Sequence, residues 1–319
     1  MPSTPTDVHY SDVHLDMPGS TSTAEATTSF AWRGDDDCSD SAAAAPAKSA
    51  RHDGDGDALL ARRRGAGSGG AIRLRHALAT PLPDVGLQVW RGALLLCDYL
   101  LSQPRLLRGA TVLELGAGCG LSGLLAASPG LRARSVYVTD CVESVLANAQ
   151  ANVDLNGVGA VARVRRLDWA EPPPMDVDPA ATAASAAAAA ASGPHEWRED
   201  DLAELRGCTL ILAADCVYGN DMTAQLVACL NALLRSLPGA VALVAMELRV
   251  NFCVSSLAAR APAVDYFADG LEVAGLEYTR VPTRSFPQRF EYERVKELEL
   301  WRVTVRAEGE PDGALVCHG

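Results

Sequence analysis

The stretch from Val112 to Gly120, with the sequence VLELGAGCG, constrains this chain more than any other feature. An apolar run leads directly into a glycine-rich turn, and an apolar segment of helical character follows from Leu121. Gly116, Gly118 and Gly120 allow the backbone to bend sharply and to approach a ligand closely, because they carry no Cβ atom. The first N–H groups of the following helix can donate to the same ligand. The pattern predicts a buried strand, a turn and a helix that bind a nucleotide-like cofactor.

The spacing of the glycines does not by itself distinguish between cofactors. A dinucleotide-binding enzyme uses a similar turn, with an acid about 20 residues later that accepts hydrogen bonds from the ribose. Asp140 ends the next predicted strand and suits that role for any nucleoside, although an acid there can also cap the following helix. Glu114 is the unusual residue, since a carboxylate inside an apolar strand is costly without a partner. An acid at this position would repel a pyrophosphate.

Composition predicts an acidic protein with enough apolar residues for a substantial core. Hydrophobic residues make up 48% of the 319, and the net charge is −12. This charge argues against a general binder of nucleic acid or of anionic membranes, since both need a basic face, and it favours a basic protein partner. The nine cysteines are scattered, with no pair or Cys/His cluster at zinc spacing. We therefore expect reduced thiols and no metal site.

The N-terminal residues MPSTPTDVHYSD have neither the basic nor the apolar region of a secretory signal. No apolar run reaches the roughly 18 residues that a membrane span needs. We expect a soluble protein of the nucleus or cytoplasm. A monomer is the default, because no segment stands out as a helical interface.

Three kinds of region are predicted along the chain. Residues 1–70 are rich in Ser, Thr, Asp, Gly and Ala, and we expect them to be mostly disordered because they bury too little apolar surface. A single folded domain is predicted for residues 71–306, interrupted by an alanine- and proline-rich insertion at 172–194. The tail at 307–319 carries no readable signal.

Strands and helices alternate through the predicted domain. The predicted strands are 111–115, 135–139, 161–167, 209–214, 240–246, 277–281 and 298–305. The predicted helices are 92–101, 121–127, 142–156, 223–234 and 257–273, the last interrupted by Pro262. Alternation of this kind indicates an α/β fold with a doubly wound, mostly parallel sheet covered by helices on both faces. Two successive strands at the end indicate a terminal antiparallel hairpin.

Further chemistry-bearing residues follow the later strands, where ligands of open parallel sheets bind. Asp168 and Trp169 end the third strand, where an aromatic ring can stack on a base and a carboxylate can accept from its amino group. Asp215 and Tyr218 follow the fourth strand, and Trp90 precedes the first. Taken singly, the tryptophans could be core residues and Asp215 a helix cap.

Together these motifs resemble the seven-strand S-adenosylmethionine-dependent methyltransferases with a Rossmann-like fold. Within them the chain is similar to the protein-lysine methyltransferases that carry an Asp-x-x-Tyr motif after the fourth strand. The resemblance covers roughly residues 85–305. The residues that carry it are Val89-Trp90, Glu114-Leu-Gly-Ala-Gly118, Asp140, Asp168-Trp169, Asp215-Cys-Val-Tyr218, the ELRVNF run at 247–252 and the closing LELW at 298–301.

The resemblance implies a role for each of these positions. Gly116, Ala117 and Gly118 would cradle the methionine part of S-adenosylmethionine, and Glu114 would serve its amino end. Asp140 would bind the ribose. Trp169 would pack against the adenine, with Asp168 at the polar edge of the base. Trp90 and Ala214 would complete the cofactor pocket. Asp215 and Tyr218 would face the incoming lysine of a non-histone protein substrate, Asp215 orienting the amine and Tyr218 lining the channel.

Other functions remain open from the sequence alone. One alternative is a methyltransferase that acts on a small molecule or a nucleic acid. A second is an NAD-dependent oxidoreductase, and a third is a non-catalytic module that binds S-adenosylmethionine and a partner. The complete set of pocket residues weighs against the third, since a domain without activity need not keep it.

Overall fold

The computed structural model describes residues 25–34, 69–173, 193–249, 251–253 and 258–306. The strands in chain order are β1 (Glu25–Trp32), β2 (Gly70–Ala77), β3 (Thr111–Leu115), β4 (Ser135–Asp140), β5 (Ala162–Arg166), β6 (Cys208–Ala214), β7 (Val241–Glu247), β8 (Asn251–Cys253), β9 (Ala258–Arg260), β10 (Leu276–Val281) and β11 (Leu298–Val305). The helices are α1 (Arg91–Ser102), α2 (Leu121–Ala126), α3 (Glu143–Asn156), α4 (Glu199–Leu205), α5 (Asn220–Ser236) and α6 (Pro262–Val273). No helix in these ranges is long and apolar enough to cross a membrane.

Within these ranges, seven strands form one sheet in the order β10-β11-β7-β6-β3-β4-β5. The five strands from β7 to β5 run parallel, whereas β11 pairs antiparallel with both β7 and β10. The chain leaves β3 toward β4 on one side and returns to β6 on the other, so the order reverses beside β3. The predicted α/β class, the doubly wound sheet and the terminal hairpin are confirmed.

The sheet is covered on both faces because its strands alternate apolar side chains between two cores. Val112 and Leu210 pack in the core under α1, α2 and α3. Leu113 and Ile211, one residue further along each strand, pack in the core under α4, α5 and α6. All four side chains are at most 3% exposed. Glu114 shares the face of Val112, so the one acid inside β3 points toward α2.

The segment predicted to be disordered contains a strand, and for residues 25–34 that prediction is wrong. β1 pairs antiparallel with β2 along all eight of its residues. The ring of Trp32 packs against that of Phe290 with centroids 5.8 Å apart. β1 has little apolar surface of its own, so only its partners, far away in sequence, make it a strand. Residues 1–24 and 35–68 lie outside the described residues.

Two other segments differ from the sequence-based prediction. The helix predicted for 257–273 begins only at Pro262, because proline fits the first turn, where its missing N–H is not needed. The residues just before it form β9 and pair with β8. α4 was not predicted; it follows the alanine-rich insertion, of which 174–192 lie outside the described residues, as does the tail at 307–319.

Candidate active site

A cavity of about 360 Å³ opens at the carboxyl ends of the parallel strands. Almost every site residue predicted from the sequence lines this cavity. Those that line it are Trp90, Gly116, Ala117, Gly118, Asp140, Asp168, Trp169, Ala214, Asp215 and Tyr218. Glu114 is not among the lining residues. The cavity therefore lies beside the reversal of strand order, where an open α/β sheet offers its ligand crevice.

The glycine turn needs glycines because its backbone is left-handed and closely packed. Gly116 and Gly118 have φ angles of +56° and +54°. A Cβ atom on Gly116 would lie 2.8 Å from the Trp169 ring and 2.9 Å from Cys216 Sγ. One on Gly118 would lie 2.8 Å from the carbonyl oxygen of Gly86. Two constraints therefore require glycine in the turn: the left-handed φ angles, and the close neighbours on both sides that leave no room for a Cβ atom.

Glu114 lies behind the glycine turn and away from the cavity wall. Its side chain is buried, and its Oε2 accepts a hydrogen bond from the backbone N–H of Gly123 in α2, at 3.0 Å. Burial, with a smaller contribution from the charge of Asp140, raises the pKa of Glu114 to about 7, although the hydrogen bond from the Gly123 N–H opposes the shift. The carboxyl group thus joins β3 to α2. The role expected for Glu114 at the amino end of the cofactor, directly or through water, stays a prediction.

Asp140 lies at the end of β4, half-buried in the cavity wall. Oδ1 accepts from the N–H groups of Cys141, at 2.8 Å, and Val142, at 3.1 Å. Oδ2 accepts from Gly118 N at 3.3 Å. Burial raises its pKa, and these backbone donors oppose the shift. Oδ1 thus uses both of its lone pairs, whereas Oδ2 keeps capacity for another donor, so Asp140 can bind a hydroxyl group while it fixes the turn.

Asp168 and Trp169 lie side by side after β5 but differ in exposure. The Trp169 side chain is buried and lies against the glycine turn. Asp168 is exposed, and its Oδ1 accepts from Ala170 N at 2.9 Å. Both side chains line the cavity, so an aromatic ring and a carboxylate lie side by side in its wall.

Asp215, which follows β6, links that strand to α1 and β7 through hydrogen bonds. It has a left-handed φ of +53°, a conformation that Asp tolerates better than most residues. Oδ2 accepts from the N–H of Gly92 in α1 at 2.6 Å, and Oδ1 accepts from the N–H of Glu247 in β7 at 2.9 Å. Burial raises the pKa of Asp215 to about 6, while the Glu247 and Gly92 N–H groups and the charge of Arg249 oppose the shift.

This geometry adds a structural role to the one expected for Asp215. A carboxylate that was predicted to orient a substrate amine already accepts from two backbone N–H groups. An ion pair beside it strengthens the same junction: Arg91 donates to both carboxylate oxygens of Glu247 at 2.9 Å and 2.8 Å. Asp215 therefore shapes the cavity by holding the start of α1 against the ends of β6 and β7.

The mouth of the cavity carries Tyr218, Met222, Gln225 and Arg249. The Tyr218 side chain is 39% exposed, and burial of the remainder raises its pKa. The guanidinium of Arg249 lies over the ring of Trp90, 5.1 Å from its centroid. Sequence reasoning assigned no role to Arg249, although the ELRVNF run that contains it contributed to the resemblance.

The segment before α1 forms another wall that the sequence did not predict. Residues 82–87 form a short 3-10 helix, and Val85 and Gly86 line the cavity. Trp90 donates from Nε1 to the carbonyl oxygen of Val85 at 3.0 Å, which folds this wall against the start of α1. The signal that could have revealed it is the presence of two prolines and a glycine within residues 81–86.

Comparison with known families adds independent information. Residues 77–185 and 180–252 match the sequence description of a family named lysine methyltransferase. The matched residues contain the glycine turn, Asp140, Asp168, Trp169 and the Asp-x-x-Tyr motif. β1 and all but the last residue of β2 precede the match.

Among individual proteins, methyltransferase-like protein 22 is similar to most of the described domain. The Mus musculus protein is 40% identical over 248 residues, which are 73% of this chain and 59% of that protein. The Homo sapiens protein is 38% identical over 246 residues, 73% of this chain and 57% of that protein. The protein-lysine N-methyltransferase EEF2KMT of Homo sapiens is 35% identical over 114 residues, 32% of this chain and 34% of that protein. The chain thus spans less than two thirds of the first two relatives.

Proposed function

This chain belongs to the lysine methyltransferase family, and we propose that it transfers a methyl group from S-adenosylmethionine to a lysine ε-amine of a non-histone protein. The observation that carries the proposal is the convergence of Asp140, Trp169 and the glycine turn with Asp215 and Tyr218 on one cavity. Residues from four separate segments meet there, as expected of a site for a nucleoside cofactor and a second reactant.

The charges of the cavity fit a cationic cofactor. Asp140, Asp168 and Asp215 line it, and Arg249 is the only lysine or arginine among the lining residues that the structure describes. Such an excess of carboxylates would repel the pyrophosphate of a dinucleotide, whereas S-adenosylmethionine carries a sulfonium and an amino group. The charge balance therefore favours S-adenosylmethionine over NAD.

S-Adenosylmethionine, when bound, supplies a methyl group activated by its sulfonium. The protein supplies position and a suitable electrostatic environment. Asp140 would accept from a ribose hydroxyl with the remaining lone pair of Oδ2, and Trp169 would pack against the adenine. Asp168, at the edge of the same region, would accept from the exocyclic amine.

The acceptor lysine must reach the cavity as a neutral amine. Its ordinary pKa of about 10.4 makes deprotonation at pH 7 cost roughly 4–5 kcal/mol. A desolvated channel would lower that cost, since burial disfavours the charged form of an amine. Tyr218 stands at the mouth, where it can line such a channel. Asp215 sets the channel's position through Gly92 and Glu247, and its free lone pairs can orient the amine.

Ligand binding tests the cofactor part of the proposal. S-Adenosylhomocysteine should raise the melting temperature of the protein and NAD should not, since a ligand that binds only the folded state stabilises it. Trp169→Ala should weaken the binding measured by calorimetry. Stabilisation by NAD alone would contradict the proposal, and unchanged affinity in Trp169→Ala would remove the stacking role.

Transfer of label tests the reaction itself. The protein is incubated with a cell extract and S-adenosylmethionine that is tritiated on its methyl group. We expect label in protein and, after digestion, in methylated lysine. Label in nucleic acid or in small molecules would replace the proposed substrate class. No transfer despite S-adenosylhomocysteine binding would favour a non-catalytic module.

The setting of this reaction is also proposed. The net charge of −12 supports a substrate with a basic surface. We further propose that the enzyme is a monomer and acts in the nucleus or cytoplasm. Affinity for the substrate should then fall with increasing salt. Sedimentation of the purified protein measures its oligomeric state.

A further inference from the structure

A row of three asparagines on α3 pairs with the backbone of β2. Asn148, Asn152 and Asn156 are spaced by four residues and so share one face of the helix. Asn156 accepts from Arg73 N at 2.9 Å and donates to Arg73 O at 2.7 Å. Asn152 accepts from Arg75 N at 2.7 Å and donates to Arg75 O at 3.1 Å. These carboxamides act as a neighbouring strand would, and satisfy the outer edge of β2.

Asn152 differs from Asn156 because it also contacts the glycine turn. Its Nδ2 donates a second hydrogen bond, at 3.0 Å, to the carbonyl oxygen of Cys119. The side chain is fully buried, and its amide now has both hydrogens and the oxygen engaged. Cys119 lines the cavity between Gly118 and Gly120. One side chain thus connects the edge of β2 to the turn that is proposed to hold the cofactor.

The turn depends on such contacts because three of its glycines are left-handed and no strand ladder continues through it. It is supported from β4, where Ala117 N donates to Thr139 O at 2.8 Å and Gly118 N donates to Asp140, and from residues 82–87, where Cys119 Sγ donates to Gly86 O at 3.6 Å. On the α3 side, Asn152 holds the Cys119 carbonyl, and Asn148 Nδ2 makes a longer contact with Cys119 Sγ at 3.8 Å. Removal of the Asn152 side chain would leave the Cys119 carbonyl and the Arg75 N–H without these partners, while the Arg75 carbonyl would keep its hydrogen bond from Asn148 Nδ2.

We propose that Asn152 is a positioning residue for the cofactor turn, and that it makes the β1–β2 ribbon, Glu25–Trp32 with Gly70–Ala77, part of the cofactor site. The inference rests on the proposed function, since it concerns the same cofactor. It extends the site to a segment that almost entirely precedes the residues matched to the family.

The test compares Asn152→Ala with Asn156→Ala. Both variants lose a pair of hydrogen bonds to β2, but only the first loses the bond to Cys119. Hydrogen exchange without ligand should be faster at residues 116–120 in Asn152→Ala than in Asn156→Ala. By calorimetry, S-adenosylhomocysteine should bind Asn152→Ala roughly threefold to tenfold more weakly than Asn156→Ala, the effect of one lost hydrogen bond.

Equal exchange at the turn and equal affinity in the two variants would overturn the inference. If wild-type protein does not bind S-adenosylhomocysteine, the proposed function fails, and the exchange data on the free protein still decide whether Asn152 holds the turn. If Asn152→Ala does not fold, hydrogen exchange of the wild-type protein with and without S-adenosylhomocysteine provides the test. If the turn and β2 are coupled through Asn152, ligand binding at the turn should also slow exchange in β2, at residues 70–77. Unchanged exchange there on saturation would overturn the inference.

Discussion

The two ends of the cavity are built in different ways. At the cofactor end, β3, the glycine turn and α2 follow one another directly in sequence, and Asp140 reaches the turn from the next strand. At the acceptor end, Asp215 joins residues that are 123 and 32 positions away, and Arg91 pairs with Glu247 across 156 positions. The first end has a local pattern that can be read from the sequence. The second end is formed by segments that are distant in sequence, and its acid, Asp215, accepts hydrogen bonds from backbone N–H groups.

The largest difference between the ends should appear in stability at Asp215. Asp215→Ala leaves two backbone N–H groups without their acceptor and puts alanine in a left-handed conformation. We expect the free energy of unfolding to fall by about 3–5 kcal/mol in denaturant titrations. The control Asp168→Ala, at an exposed acid of the cofactor end, should change it by less than about 1 kcal/mol. A similarly small loss in Asp215→Ala would show that the hydrogen bonds of Asp215 are not structural.

The next largest effect concerns Glu114, the buried acid behind the glycine turn, which should make the free energy of unfolding depend on pH. Because burial raises its folded pKa from 4.5 to about 7, the folded state binds this proton more tightly than the unfolded state. The resulting stabilisation is fully present below about pH 4.5 and is lost as the pH rises through 7, a change on the order of 3 kcal/mol.

Glu114→Gln should remove that loss. The unfolding free energy of the variant, measured from pH 4.5 to 7.5, should decline less with increasing pH than that of the wild type. Glu272→Gln, at an exposed position of α6, corrects for the loss of one charge. Parallel profiles for wild type and Glu114→Gln would contradict the buried, protonated state.

A third comparison separates the shape of the turn from its surroundings. Gly118 and Gly109 both have left-handed φ angles, +54° and +70°, but only Gly118 has a neighbour that a Cβ would meet. Gly118→Ala should cost about 2 kcal/mol more than Gly109→Ala and should also weaken S-adenosylhomocysteine binding. Equal costs for the two substitutions would mean that the contact with Gly86 does not constrain the turn.

The smallest effect on stability is expected at Tyr218. Its side chain is partly exposed at the mouth, so Tyr218→Ala should change the free energy of unfolding by less than about 0.5 kcal/mol. Methyl transfer to protein should nevertheless fall, because the acceptor channel loses a wall. Tyr218→Phe distinguishes the ring from the hydroxyl. A Tyr218→Ala variant with full transfer activity would exclude Tyr218 from the acceptor channel.

Local patterns in the sequence were sufficient for most of the sheet. The glycine turn, α3 and the strands β3 and β11 have period, length and turn residues that leave few alternatives. β1 could not be predicted because its stability comes from β2 and from the ring of Phe290, neither of which is near it in sequence. The start of α6 was misplaced because Pro262 suits a first turn as well as an interruption.

The sequence by itself determined the α/β class, the position of the glycine turn and the set of acids and aromatic residues that meet at the strand ends. These follow from short-range periodicity and from the geometry of parallel strands, whose carboxyl ends share one edge. The tertiary structure alone decided which partners the polar side chains around the site bind. Glu114 binds α2, Asp215 holds the start of α1, and Asn152 joins β2 to the turn. These contacts depend on which distant N–H or carbonyl group lies within about 3 Å, a distance that only the packing of the whole domain sets.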